Sequence, residues 1–344
     1  MKDKVVFIAG TRPELIKIAP VVNAVNASVI FTAQHFDKNM SSDFFNLLNY
    51  DKFISLNRNP KDTTSHLKET AHNIALEINK LNVSKVIVQG DTNSTLAGSI
   101  AAKSTNRKLY FIESGMRSKD LSQIEEYNRV IVSHMSDVNF CNHESNKIHL
   151  LNENIAEERI LLTGSTVFAS VNGVELEDSP ILKTDYILLT LHRPENVDKI
   201  DKLLTLLEII DKLNYPVIFP IHPRTKKMLK GKESKYDNIS FADPQDYPDF
   251  IKLISNSKFL ISDSGGVQEE AAILRKPLLI PRNYTERPEM LNIFNILTPT
   301  TETLKGEAVK LINDESPLAD TVQNSNLLYG EEEVIENIVN AIDS

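Results

Sequence analysis

Cysteine is almost missing from this chain: Cys141 is the only one in 344 residues. An internal disulfide is therefore excluded. No Cys/His cluster has zinc-type spacing, and together these absences point to a reducing compartment, with the cytoplasm as the default. Long apolar runs are lacking too, since none approaches the roughly 18 residues that a membrane span needs. The N-terminal K-V-V-F-I-A-G leads straight into T-R-P-E with no small-residue cleavage site, so an untargeted chain with no membrane partner is expected. Positive charge is in deficit. A formal net charge of -9 argues against general affinity for nucleic acid or anionic lipid, both of which need cationic surface. Any phosphate recognition must be local. Glycine is scarce, 11 in all, and Gly10, Gly90, Gly115, Gly164, Gly265 and Gly266 each fall at or just after the end of an apolar run.

What is present is alternation. Short apolar runs (K-V-V-F-I-A-G, S-V-I-F-T-A-Q, K-V-I-V-Q-G, K-L-Y-F-I-E, V-N-F-C, R-I-L-L-T-G) are separated by segments of helical period. This pattern predicts an α/β fold in which a parallel sheet is covered by helices. After T-G-S-T-V the chain passes a polar, turn-rich N-G-V-E-L-E-D-S-P and the pattern restarts with Y-I-L-L-T-L-H, P-V-I-F-P-I-H, K-F-L-I-S-D and K-P-L-L-I-P-R. Two domains are expected, over residues 1–168 and 180–326. A closing helix over 327–344 can pack on either half. There is no tandem repeat and no low-complexity tract.

The chemistry-bearing residues lie where predicted strands end: Gly10, Gln34, Asp91, Glu113, His192 with Arg193, His222, Asp263 with Ser264, and Arg282. In open α/β sheets ligands bind at that edge, and two such edges most simply face one another across a cleft. D-S-G-G-V-Q-E-E, residues 263–270, supplies a tight turn whose free N–H groups suit a diphosphate. An ordinary strand-to-helix turn explains it equally well, with Glu269 and Glu270 complementing the helix dipole. In G-T-R-P-E-L-I-K, Arg12 and Lys17 can converge on one anion, unless Lys17 is simply solvated. Asp91 reads as a catalytic acid or as an N-cap. Glu113, on a buried strand with Arg117 following, needs a partner or a task. Glu125 and Glu126 open a helix, where acids are expected anyway. His192, in H-R-P-E-N, donates to phosphate, moves a proton, or is structural. H-P-R at 222–224 is a weaker version, and T-E-R-P-E at 285–289 reads as a capped helix start.

In order along the chain, G-T-R-P-E-L-I-K, Q-G-D-T-N-S-T, E-S-G-M-R, E-E-Y-N-R, T-G-S-T-V, L-H-R-P-E-N, H-P-R, S-D-S-G-G-V-Q-E-E-A and T-E-R-P-E span residues 10–289. This combination resembles the non-hydrolysing UDP-N-acetylglucosamine 2-epimerase family. The resemblance implies two Rossmann-like domains of the GT-B glycosyltransferase kind around a central cleft. It also implies a UDP-sugar substrate, a cytoplasmic homodimer, and a C2 epimerisation that uses neither NAD nor metal. By the same resemblance, Asp91, Glu113 and Glu125 match the acidic active-site residues. Arg12, His192 and Ser264 match residues that bind or help expel the diphosphate, with Gly265 and Gly266 presenting N–H groups. Lys17 matches a basic residue near the site, and Glu270 the acid that holds the ribose.

Several positions depart from the family pattern. Ile124 replaces a proline, Ser165 an asparagine, and Ile293 and Phe294 stand where a glycine is frequent. Gln34, Arg193 and His222 match part of an activating second-substrate site found in many bacterial members. That match is partial, because Asp37 stands in place of a second glutamine and E-T-A-H-N-I lacks the expected arginine. Rival readings are an epimerase for a modified UDP-sugar, a hydrolysing epimerase, a glycosyltransferase of the same architecture and a nucleotide-sugar sensor.

Overall fold

The structure is a computed structural model that describes residues 5–32, 53–56, 63–121, 123–176 and 185–344. The chain divides into two compact units, Met1–Ser170 with Leu328–Ser344, and Val171–Leu327. In the first unit the strands are β1 (Val5–Ala9), β2 (Ser28–Phe31), β3 (Phe53–Ser55), β4 (Lys85–Gln89), β5 (Lys108–Ser114), β6 (Val138–Cys141) and β7 (Ile160–Leu162). They pair in parallel in the order β3-β2-β1-β4-β5-β6-β7. Between them run α1 (Arg12–Val25), α2 (Thr63–Leu81), α3 (Asn93–Ser104), α4 (Ile124–Met135) and α5 (Glu144–Asn152), and α6 (Val167–Asn172) leads into the second unit.

The second unit repeats the plan. Its strands β8 (Ile187–Thr190), β9 (Val217–Pro220), β10 (Ile239–Ala242), β11 (Phe259–Ser262), β12 (Leu278–Ile280) and β13 (Asn295–Leu297) are parallel, in the order β10-β9-β8-β11-β12-β13. Helices α7 (Pro194–Val197), α8 (Ile200–Asp211), α9 (Pro223–Leu229), α10 (Tyr247–Asn256), α11 (Gly265–Ile273), α12 (Thr301–Ile312) and α13 (Pro317–Asn324) surround them. In both sheets the first strand lies in the middle and the order reverses beside it, which is the Rossmann-like arrangement. No helix among the described residues is long and apolar enough to cross a membrane.

Strands covered on both faces need apolar residues at successive positions, not alternating ones, and V-V-F-I-A and K-V-I-V-Q meet that need. Ile8, Val88 and Phe111 lie level across β1, β4 and β5 and are almost wholly buried. Ile74 and Ile78 of α2 and Ala97 and Ala101 of α3 belong to the same core. Each large side chain buried in this way contributes ~1.5–3 kcal/mol.

The closing helix α14 (Glu333–Asp343) packs on α1 in the first unit. Buried Lys85 donates to the carbonyl of Ile342 and satisfies the end of α14. α1 itself contains Pro20, which has no N–H for the carbonyl of Ile16. That carbonyl accepts instead from the Ser170 hydroxyl at 2.9 Å.

Where β1 turns into α1, the backbone presses against α3. A Cβ on Gly10 would lie 1.9 Å from Ser94 Oγ and 2.8 Å from Thr32 Oγ1. We expect Gly10→Ala to lower stability by roughly 1–3 kcal/mol, the usual cost of overpacking, as measured by urea denaturation. A variant as stable as the wild type would show that this turn is loosely packed.

Candidate active site

In the first unit the candidate residues Arg12, Asp91 and Glu113 stand at or just beyond the carboxyl ends of β1, β4 and β5. Glu113 is the most constrained. β5 pairs with β6 through Ile112 and Ser114 but skips Glu113, which adopts a left-handed φ of 69°. A bulge at a strand end re-aims the bulged side chain, and a non-glycine residue at positive φ stores strain. The expected neighbour Arg117 does not pair with Glu113. It forks onto Glu153 at 2.7 Å, and Glu113 accepts from Lys17 Nζ at 2.6 and 2.7 Å and from Gln89 Nε2. Lys17 therefore reaches a carboxylate, where the sequence had suggested an anion shared with Arg12.

Asp91 is not an N-cap. Thr92 caps α3, its hydroxyl accepting from the N–H groups of Ser94 and Thr95. The half-buried Asp91 carboxylate instead takes Arg129 Nε at 3.0 Å and also its Nη2. Burial works against the charged Arg129 guanidinium, yet Asp91 and Glu126 hold its pKa above the ordinary value. The adjacent acids of α4 diverge. Glu126 is buried and accepts from Ser118 N, Ser118 Oγ, Lys119 N and Arg129 Nη1, all at 2.9–3.0 Å. These donors outweigh its burial and lower its pKa, so Glu126 fastens a loop, whereas Glu125 is exposed.

One participant went unread in the sequence. Glu14 is buried, and it accepts from Gly10 N and Thr11 N at 2.8 Å, Thr11 Oγ1 at 3.0 Å, Thr92 Oγ1 at 2.7 Å and Thr95 Oγ1 at 3.1 Å. Desolvation outweighs these bonds and raises its pKa.

In the second unit α11 starts at Gly265, with Ser264 as an N-cap whose side chain makes no cap bond, so it does not occupy the backbone donors of the first turn. Asp263, fully buried, accepts from His192 N and Arg193 N at 3.0 Å and from Asn196 Nδ2 at 3.0 Å. His192 Nδ1 lies 3.1 Å from its Oδ1. Burial alone would raise the Asp263 pKa, but His192, Asn196 and the backbone donors lower it. An ionised carboxylate only accepts, so the Nδ1 proton of His192 is fixed on that side. His222 caps α9 and its ring lies 5.6 Å from that of His192.

Two guanidinium groups stand beside Gly265. A Cβ on Gly265 would lie 3.4 Å from Arg287 Nη1 and 3.7 Å from Arg193 Nη2. Arg287 is held by buried Glu269, 2.8 Å from Nε and closer still to Nη2. This corrects two local readings: Glu269 is a buried ion-pair partner rather than a helix-dipole acid, and T-E-R-P-E delivers Arg287 to it, followed only by a short 3-10 turn over Pro288–Met290. Glu286 takes both terminal nitrogens of Arg282 at 3.1 and 3.2 Å and faces Arg193 at 3.8 Å. Arg282 also bonds Glu195 at 2.9 Å and stacks on Tyr284. Glu270 is half-buried, and the Tyr247 phenol is pushed up by burial and then by the charges of Glu270 and Glu269. Gln34 lies outside the described residues. No three His, Cys, Asp or Glu side chains among the described residues converge as a metal site requires.

The Glu286 carboxyl gives a pH-dependent prediction. Burial raises its pKa, but Arg282 and then Arg193 lower it further, from 4.5 to about 2. Its stabilisation is therefore complete above pH 4.5 and is lost as pH falls toward the folded value. We expect the stability gap between wild type and Glu286→Gln to be on the order of 3 kcal/mol at neutral pH and to shrink below pH 4.5. Denaturant titrations across that range would measure it, and a gap that widened in acid would contradict the assignment.

A profile of the UDP-N-acetylglucosamine 2-epimerase family matches residues 21–343. A UDP-N-acetylglucosamine 2-epimerase of Methanocaldococcus jannaschii is 36% identical over 344 aligned residues, covering 90% of this chain and 92% of the relative. A UDP-2,3-diacetamido-2,3-dideoxy-D-glucuronate 2-epimerase of Pseudomonas aeruginosa is 32% identical, covering 95% and 96%. The crystal structure of the M. jannaschii UDP-GlcNAc 2-epimerase in complex with UDP-GlcNAc and UDP superposes with a TM-score of 0.87 at 34% identity, covering 98% of this chain and 99% of that one. Matches of this extent, over two Rossmann-like domains, place the chain in the UDP-N-acetylglucosamine 2-epimerase family.

Proposed function

We propose that this chain is a non-hydrolysing epimerase that interconverts UDP-N-acetylglucosamine and UDP-N-acetylmannosamine, supplying a precursor of surface polysaccharide. The observation that supports this most is Glu113. A carboxylate at a strained bulge, gripped by Lys17 and Gln89, does nothing for the sheet and has the rigidity that proton transfer at carbon demands.

The C2 hydrogen of the sugar is too weakly acidic for simple deprotonation, so bond breaking at C1 must accompany it. A carboxylate takes the C2 proton as the C1–O bond breaks and UDP departs with the bonding electrons, leaving 2-acetamidoglucal. UDP then re-adds at C1 while a proton arrives on the opposite face of C2. Asp91, Glu113 and Glu125 share the proton transfers and the stabilisation of positive charge at C1. Arg129 holds Asp91, and Lys17 with Gln89 holds Glu113. The Ser264 hydroxyl and the N–H groups of Gly265 and Gly266 bind the diphosphate, as does Arg12. Glu270 accepts from the ribose. His192, oriented by Asp263 through Nδ1, presents Nε2 to the departing phosphate.

The P. aeruginosa relative favours a second reading, in which the sugar is a diacetamido-uronate handled by the same chemistry. Incubation with UDP-N-acetylglucosamine in D2O, followed by NMR, decides between them. Deuterium at C2 in UDP-linked N-acetylmannosamine is the expected result. Free N-acetylmannosamine would indicate hydrolysis, and exchange only with the uronate would move the substrate. Asp91→Asn, Glu113→Gln and Glu125→Gln should each lose at least ~100-fold in kcat with UDP affinity retained, and a variant that keeps its kcat leaves the set. Glu270→Gln should do the reverse, weakening UDP binding about tenfold by calorimetry with kcat little changed.

A further inference from the structure

Glu14 belongs to neither the base set nor the diphosphate set, yet it touches the backbone that carries both. Its Oε2 takes Gly10 N, Thr11 N and Thr11 Oγ1, and Thr11 in turn caps α1 in a capping box. Helix capping accounts for that oxygen. It does not account for Oε1, which accepts from Thr92 and Thr95 on another turn of the sheet edge. The Thr92 hydroxyl oxygen already accepts from the N–H groups of Ser94 and Thr95. Of the acceptors open to its single proton, Glu14 Oε1 at 2.7 Å is nearer than Thr95 Oγ1 at 3.3 Å.

The neighbours of these donors are the functional residues. Arg12 follows Thr11 and Asp91 precedes Thr92. The Thr95 hydroxyl also lies 2.8 Å from the carbonyl of Gln89, whose amide holds Glu113. A carboxyl this buried is costly where capping is the only need, since an exposed acid caps as well.

We propose that Glu14 is a positioning residue, linking the Arg12 turn to the Asp91 turn so that the cation and the acid keep one spacing during epimerisation. The inference rests on the epimerase reading above. Misplacement of a reacting group by about 1 Å costs on the order of 100-fold in rate, so loosening this link lowers kcat without removing any group that touches substrate.

The test uses the full chain with Glu14→Gln and Thr92→Val, singly and combined, and Thr92→Ser as the conservative control. Turnover of UDP-N-acetylglucosamine, UDP affinity and amide hydrogen exchange over residues 10–14 and 91–96 are measured. Each single variant should lose at least about tenfold in kcat with KM within about threefold and UDP affinity unchanged. The double variant should lose little more than the worse single one, because both cut the same link. Thr92→Ser should recover most of the rate. In Glu14→Gln, exchange should quicken in both segments. Unchanged kcat in a folded Glu14→Gln, additive losses, or quickened exchange confined to residues 10–14 would overturn the proposal. A wild type inactive on every UDP-sugar would instead remove the epimerase reading, and the exchange comparison would still decide whether Glu14 couples the two turns.

Discussion

A backbone that leaves a parallel sheet loses its partners, and its N–H groups must find others. In each unit of this protein a buried carboxylate meets that need beside the central strands. Asp263 gathers the N–H groups of His192 and Arg193 in the second unit, and Glu14 gathers those of Gly10 and Thr11 in the first. Arg12 in the first unit and His192 with Arg193 in the second are carried by these same turns. The physical logic is that of a buried acceptor with every lone pair engaged, which rigidifies where a partly satisfied one would strain.

The fold was largely legible because both sheets are covered on two faces, so their central strands appear as unbroken apolar runs. The edge strands β3, β10 and β13 are three or four residues long and carry no run that distinguishes them. The strand ends themselves were equally legible, since Gly10, Gly90 and Asp263 each close an apolar run. Partnerships were not. Nothing near Glu113 in sequence announces Lys17, and the local choice, Arg117, belongs to Glu153. Glu269 looked like a helix-start acid because a first-turn glutamate suffices for that role, and only the return of the chain brings Arg287 to it. Glu14 was hidden by its own motif: in T-R-P-E it serves as the capping-box residue, and its second oxygen acts on residues far along the chain.

The charge distribution separates two kinds of carboxylate. Glu126, Glu269 and Glu286 are buried and spend their negative charge on Arg129, Arg287 and Arg282. Removing either partner would leave a buried charge uncompensated, a far larger penalty than the net worth of the pair. Asp91 and Glu125 are less buried. Each of these pairs takes one acid and one cation out of the surface together, so the formal net charge of -9 is left to the remaining groups.

The return of the chain end bears on the order in which the protein can be made. The first unit is assembled from residues at both ends of the chain, with α14 covering α1 and capped by Lys85. On a ribosome, synthesis runs from the N-terminus and domains fold as they emerge. The second unit is contiguous in sequence and precedes α14, so all of its residues are made before the first unit has its full set. The unit that begins first is completed last, and until then the α1 face that α14 will cover lies open.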